Sequence, residues 1–265
     1  MYRKWWQLAK ASFIASIQYR AEIIIWMFLD FIPPLVLLAI WQAVFANKSE
    51  INGVTFNDMI SYYVIVFVIN SICAAHFGEW RSREIREGKI DLFLVKPVSY
   101  LADVFFRHTG GKLFYYLFAT TPFLLLSIVA LRASEAQTSL TVEQLLSFTF
   151  LLCIGYLIHF FISYCVVLSA FWLEQADSMS HFTGIVVTVF SGMMIPVALM
   201  PQWLAGIVNT LPFKYLYAVP LAVLQQNYSL QPGDFVYMFA TVAGLFALSQ
   251  VFWNSSRKAY GSAGG

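Results

Sequence analysis

The chain has 265 residues, of which 60% are apolar, 18% aromatic and 11% charged, with a formal net charge of +2. Soluble domains carry roughly 25% charged residues, so a mean hydropathy of +0.70 makes lipid the solvent for most of this surface. The same arithmetic excludes nucleic-acid modules, disordered tails and disulfide scaffolds: the charge is too small to address a polyanion, and Cys73, Cys153 and Cys165 all sit in apolar runs without CxxC spacing.

Residues 1–20 predict an amphipathic helix lying in the cytoplasmic interface. Arg3, Lys4, Gln7, Lys10 and Gln18 share one face, and Tyr2, Trp5, Trp6, Phe13 and Tyr19 the other, with Ile14 as the misfit. Lys10, Gln18, Arg20 and Glu22 interrupt any signal-peptide core.

A spanning helix needs about 20 apolar residues, and the runs that qualify are 23–45, 59–77, 113–131, 145–172 and 235–253, with a longer one at 182–224. As one helix the 43 residues of that last run would measure about 65 Å, twice the hydrocarbon thickness, and Gly192, Pro196, Pro201, Gly206, Pro212 and Pro220 interrupt it. It is either two crossings, or a span at 182–200 followed by a re-entrant segment at 201–224. Basic residues favour the second. With six spans and both termini inside, Arg3, Lys4, Lys10, Arg20, Arg81, Arg83, Arg86, Lys89, Lys96, Arg107, Lys112, Arg257 and Lys258 are cytoplasmic, leaving Lys48, Arg132 and Lys214 outside. Seven spans would expel Arg257 and Lys258 and leave Lys214 in or near the bilayer. The fold class read from the sequence is therefore all-α integral membrane, one domain over 1–265. It comprises six transmembrane helices, the interfacial helix, a cytoplasmic segment at 78–112 and a re-entrant segment between spans five and six. The outside loops, NKSEINGVTFND and RASEAQTSLTVEQ, are short and rich in turn residues, and the GSAGG tail is flexible in composition.

The segment 76–112, HFGEWRSREIREGKIDLFLVKPVSYLADVFFRHTGGK, carries seven of the sixteen basic residues. Glu79 with Arg83, and Arg83 with Glu87, are spaced to pair on an exposed helix face. Gly88 ends that helix and Pro97 limits the next piece, leaving Ile90, Leu92, Phe93, Leu94 and Val95 as an apolar ridge flanked by Lys89, Asp91 and Lys96. Such a ridge either rests on anionic headgroups or docks a cytoplasmic protein; docking is the sharper reading.

Within the apolar runs a few polar residues stand out. Asp30 lies early in the first span, before Pro33 and Pro34; it serves either a substrate or ion path, or helix packing near Arg20 and Glu22. Asn70 and Ser71 lie in the second span, Thr188 and Ser191 in the fifth, and His159 in the fourth, where a packed neutral imidazole is the simpler reading. The broken stretch SGMMIPVALMPQWLAGIVNTLPFKYLYAVP is either a kinked buried helix or a gate at the outer mouth of a path. Gly192, Pro196, Pro201, Trp203 and Pro212 mark that gate, with Trp203, Tyr215 and Tyr217 at interface depth. No GxxxxGK[ST], HExxH, CxxC or GxSxG motif and no dense carboxylate cluster occurs, so the sequence offers no ATP cradle, metal site or catalytic group of those kinds.

Four features in combination resemble the membrane subunit of bacterial type-2 ABC exporters, in a six-span permease subgroup. They are the amphipathic helix before the first span, REGKIDLFLVKP in the cytoplasmic segment, LEQADSMSH before the fifth span, and SGMMIPVALMPQWL followed by LPFKYLYAVP. The resemblance implies a permease dimer, homomeric or with a sister permease, set in lipid and bound to two copies of a separate ABC ATPase that holds ATP and Mg. No cofactor is implied in this chain. Arg86, Glu87, Gly88, Lys89, Ile90, Asp91, Leu94, Lys96 and Pro97 would form the ATPase-coupling helix and its flanks, and 192–224 the re-entrant closure. Spans one, two and five would line the path, placing Asp30, Asn70, Ser71, Thr188 and Ser191 along it. The implied location is the bacterial cytoplasmic (inner) membrane, and the implied cargo is amphipathic or apolar: a drug, lipid, glycolipid or peptide. The rivals are an ion-coupled secondary transporter or channel subunit and a membrane assembly factor. The single broken region and lone Asp30 argue against the former, which expects inverted repeats with mid-membrane carboxylates.

Overall fold

The computed structural model describes residues 2–94, 99–121, 141–173 and 175–259, and among these the chain is all-α apart from one short hairpin. The expected third span (113–131), much of the second outside loop and the GSAGG tail fall partly or wholly outside the described residues.

Helix α1 (Tyr2–Gln18) leads into α2 (Arg20–Leu29) and α3 (Ile32–Phe45). The first apolar run is thus two helices that meet at Asp30 and Phe31. Pro33 and Pro34 lack the amides that would have bonded the carbonyls of Leu29 and Asp30, so the chain breaks where the carboxylate sits. The hairpin β1 (Glu50–Ile51) and β2 (Val54–Thr55) turns through Asn52 and Gly53 at φ 51° and 76°, the Asn-Gly pair that a type I′ turn favours. Thr55 and Asp58 then form a capping box that starts α4 (Phe56–Cys73).

After four non-helical residues, α5 (Gly78–Arg86) ends in a Schellman motif: Gly88 adopts φ 73°, and the amides of Gly88 and Lys89 donate to the carbonyls of Ile85 and Glu84. The reversal delivers Ile90, then α6 (Asp91–Leu94), then α7 (Tyr100–Tyr115), which widens into a π-helical turn over Tyr116–Thr120. A second capping box, Thr141 with Gln144, starts α8 (Val142–Ser169).

The long apolar run that begins at 182 is broken as its prolines require. Helix α9 (Ala176–Phe190) stops before Gly192 at φ 82°; a 3₁₀ turn (Val197–Leu199), α10 (Gln202–Thr210), a second 3₁₀ turn (Pro212–Tyr215) and α11 (Ala218–Leu224) follow, each beginning at or beside a proline or turn. Helix α12 (Pro232–Ala259) completes the described chain.

Among the described residues three stretches are long and apolar enough to cross a membrane: Phe56–Arg86, Val142–Ser169 and Pro232–Lys258. Helix α8 is the spine. Its 28 residues measure about 42 Å, and it feeds both buried clusters: Leu151, Leu152 and Ile158 pack with Tyr62, Tyr63 and Tyr217, while Phe160, Tyr164 and Leu168 pack with Phe77, Ile90 and Tyr100. By contrast only 11% of the apolar window of α12 is buried against 72% for α8, so α12 presents its side chains outward, to lipid. Helix α1 lies along α7. Trp5 stacks on Phe106 at 5.4 Å, and a Cβ on Gly110 would come within 2.2 Å of the Ala9 carbonyl oxygen, so only glycine allows this approach.

Candidate functional site

The two buried clusters frame two cavities. One, of about 880 Å³, lies between α1, the α2–α3 break, the end of α4, α5 and α7; the other, of about 1010 Å³, lies between the α2–α3 break, α4, α8 and α9. Asp30, Asn70, His76 and Trp80 line both and so form the wall between them. Of the path residues expected from the sequence, Ser71 faces the first cavity and Thr188 the second. Ser191 faces neither and is fully buried in the turn after α9, where its hydroxyl accepts from the Met193 amide at 3.3 Å.

Several of the polar groups here have specific partners. The Tyr115 hydroxyl donates to Asp30 at 2.7 Å, and the Tyr217 hydroxyl to Asn70 Oδ1 at 2.6 Å. Ser71 accepts from Thr120 at 3.0 Å and donates to the Val68 carbonyl at 2.8 Å. Lys112, expected only as a cytoplasmic boundary charge, reaches into the first cavity. Its ammonium donates to the Ile72 carbonyl at 2.7 Å and lies 5.4 and 5.5 Å from the ring centres of Tyr116 and Tyr156. His159 is half-buried, edge-on to His76 at 6.1 Å, with its Nδ1 buried and without a hydrogen-bond partner among the described residues. Among the described residues no three His, Cys, Asp or Glu side chains converge on a metal-sized site.

At one end of the molecule the broken segment is held by tyrosines. Tyr62 donates to the carbonyl of Gly192, Tyr63 to that of Met194 at 2.7 Å, and the Ala218 amide to that of Ser191 at 3.1 Å; Trp41 in turn donates to the Tyr63 hydroxyl at 2.8 Å. Backbone freed from a helix in an apolar setting must find donors elsewhere, and these side chains supply them. Pro196 and Pro201 precede the 3₁₀ turn and α10, Pro212 starts the second 3₁₀ turn, and Trp203 is 68% exposed on α10, so the expected gate residues share one end of the molecule. The hairpin joins them through Asn52, which donates to the Ala198 carbonyl at 3.4 Å. Asp234 pins the segment to α12, accepting from Tyr215 at 2.6 Å, Tyr228 at 2.7 Å and the Gln231 amide at 2.8 Å. On the connecting loop, burial first and the Asp234 carboxylate second push the Tyr228 phenol up to about 12.

The opposite end carries the residues expected to couple to an ATPase. The i,i+4 pairs of Glu79 with Arg83 and Arg83 with Glu87 give way to pairs with other elements. Arg86 meets Asp177 at the start of α9 at 2.8 Å, His181 approaches Glu79 at 3.5 Å, and Glu87 turns back to Lys89 at 2.6 Å. That last contact holds the Glu87 carboxyl below its ordinary value and the Lys89 ammonium above its own. Arg81 and Arg107 converge on the buried Asp103 at 3.7 and 2.9 Å, binding α5 to α7. Ile90 does not join an outward ridge. The Schellman turn folds it inward to 2% exposure beside Phe77, Ile85 and Tyr100, because a β-branched apolar side chain gains more from that core than from solvent. Phe93 is half-buried against Tyr100 at 5.2 Å, Asp91 begins α6, and Lys89 remains exposed. Leu94 ends α6; its side chain, and all of Lys96 and Pro97, lie outside the described residues.

Helix α9 joins the two ends: Asp177, in its first turn, holds Arg86, and its last turn runs into the Gly192 break. Sequence reasoning missed Asp177, Lys112, Asp234 and the Tyr62–Tyr63 pair. Two adjacent tyrosines in a spanning run were the available signal, since a buried phenol seeks a hydrogen-bond partner.

No curated protein and no solved structure matches the chain. A family model described as ABC-2 family transporter protein matches residues 31–264, from the α2–α3 break through α12. A match over that length, on an all-α chain with apolar helices able to cross a bilayer, shows that the protein is a multi-pass membrane permease belonging to the ABC-2 transporter family.

Proposed function

We propose that the chain is the permease subunit of an ATP-driven exporter: six spans with both termini cytoplasmic, in a bacterial cytoplasmic membrane, paired with a second copy or a sister permease and driven by two copies of a separate ABC ATPase. ATP and Mg belong to that ATPase. The turn at Glu87–Asp91 and the short α6 receive it, and the Tyr62-held break closes the path on the outer side.

The observation that carries this reading is the double attachment of α9. About 22 Å long, it starts at the Arg86–Asp177 pair and ends at the Gly192 break, so a displacement of the cytoplasmic turn reaches the outer segment through one rigid element. ATP binding in another chain thereby biases a two-state element in this one. The two cavities sharing Asp30 and Asn70 supply a path alongside that rod, and a lining that mixes apolar side chains with polar and charged ones suits an amphipathic cargo.

Purification of the tagged, full-length chain from its native cells in mild detergent tests the reading. It should recover a Walker-motif ATPase in equal proportion, and Lys89→Glu should reduce recovery while leaving membrane insertion intact. A monodisperse chain that never brings down an ATPase would overturn it.

A further inference from the structure

The cavity beside α1 contains one carboxylate and one ammonium that have no ion-pair partner among the described residues. Its other charged residues are engaged: Arg81 with Glu84 at 2.7 Å, Arg107 with Asp103 at 2.9 Å, and Lys89 with Glu87 at 2.6 Å. Asp30 and Lys112 differ. Among the described residues no cationic nitrogen lies within 4.0 Å of the Asp30 carboxylate and no carboxylate oxygen within 4.0 Å of Lys112 Nζ. The two nonetheless share a face, since Tyr115, three residues after Lys112 on α7, donates to Asp30. Lys112 uses one hydrogen on the Ile72 carbonyl, and an ammonium has three. Opposite charges that line one chamber without touching leave room for a guest that satisfies both.

We propose that this cavity binds a zwitterionic amphiphile, its ammonium group against Asp30 and its phosphate or carboxylate against Lys112, with Ile23, Trp80 and Phe93 beside its apolar part. Helix α1 forms one wall through Ser12, Ala15 and Ser16, and its apolar face suits the cytoplasmic headgroup region. A lipid of the inner leaflet therefore reaches the cavity without crossing water. The proposal rests on the exporter reading and narrows its cargo from amphipathic molecules in general to those carrying both charges on one headgroup.

The test uses the full-length protein in neutral maltoside micelles and three tail-labelled fluorescent probes: phosphatidylethanolamine, phosphatidylglycerol and diacylglycerol. Phosphatidylethanolamine should bind about tenfold more tightly than phosphatidylglycerol, and phosphatidylglycerol about tenfold more tightly than diacylglycerol, the scale of one charge-assisted contact each. Asp30→Asn should lower phosphatidylethanolamine to the phosphatidylglycerol level, and Lys112→Met should bring phosphatidylglycerol to the diacylglycerol level while phosphatidylethanolamine keeps the advantage of its Asp30 contact. Soluble phosphoethanolamine should compete only at far higher concentration; competition at equal concentration would overturn the amphiphile assignment. Equal binding of all three lipids by the unaltered protein would overturn the site, and that comparison stands even if the variants fail to fold. ATPase recovery, measured on the same preparations, reports separately on the exporter reading.

Discussion

The hydroxyl of Tyr62 donates to the carbonyl oxygen of Gly192, a residue held at φ 82° directly after the last turn of α9. Tyr62→Phe removes that donor and leaves a buried carbonyl unsatisfied, a loss of about 1 to 3 kcal/mol. Gly192→Ala should cost about 1 to 2 kcal/mol by a different route, since its new Cβ meets Ala218 Cβ at 3.0 Å in a left-handed backbone. Thermal unfolding in detergent should show both losses, and transport should fall further than stability alone accounts for. A Tyr62→Phe protein with unchanged stability and transport would remove the tyrosine brace from the account.

Asp234 collects three donors from one turn and the chain preceding it. Asp234→Ala should destabilise the protein by on the order of 3 kcal/mol, and Asp234→Asn by less, because the amide oxygen still accepts. The same asparagine variant should move the Tyr228 ionisation from about 12 back towards its ordinary value of 10.0, because the carboxylate that opposes phenolate formation is gone. A spectroscopic pH titration, with Tyr228→Phe to identify the step, checks the direction.

The Arg86–Asp177 pair is partly exposed, with side-chain accessibilities of 27% and 36%, so its contribution to stability is small, about 0 to 1 kcal/mol. Its expected importance is mechanical. Arg86→Asp should leave the melting temperature nearly unchanged while uncoupling ATP hydrolysis from transport, and Arg86→Asp with Asp177→Arg should recover part of the coupling. Full coupling in the single variant would show that α9 takes its motion from elsewhere.

At Gly110 the Ala9 backbone leaves no space for a side chain. Gly110→Val should prise α1 from α7 without altering the spans. A bifunctional thiol reagent should join Trp5→Cys to Phe106→Cys, whose native rings stack at 5.4 Å, efficiently in the parent and poorly in the Gly110→Val background. Equal cross-linking in both would mean that the close approach does not hold the helix.

Much of the architecture was legible because hydropathy and proline act locally. The long apolar run, the helix stop at Gly88 and the interruptions from Gly192 to Pro212 follow from backbone preferences that need no knowledge of neighbours. Partners were harder. Glu79 and Arg83 have the right spacing for a helical pair, yet Glu79 faces His181 on another helix, a choice that only tertiary packing makes. Ile90 reads as part of an outward ridge because its neighbours are apolar, whereas the Schellman reversal turns it into the core. Ile90→Asp accordingly tests folding, at a cost on the order of 4 kcal/mol for a buried charge, and a docking test belongs at exposed Lys89. Lys112 reads in the sequence as a positive charge on the cytoplasmic side, whereas its reach into the cavity depends on α7 packing beneath the Asp30 break.

The most direct measurement of the central claim is photo-cross-linking from position 89 in intact native cells, using a benzoylphenylalanine in place of Lys89, followed by mass spectrometry of the adduct. The account predicts an ABC ATPase joined to this position, together with protection of a cysteine at the same site from a membrane-impermeant thiol reagent added outside. Labelling of that cysteine from the cell exterior would contradict it.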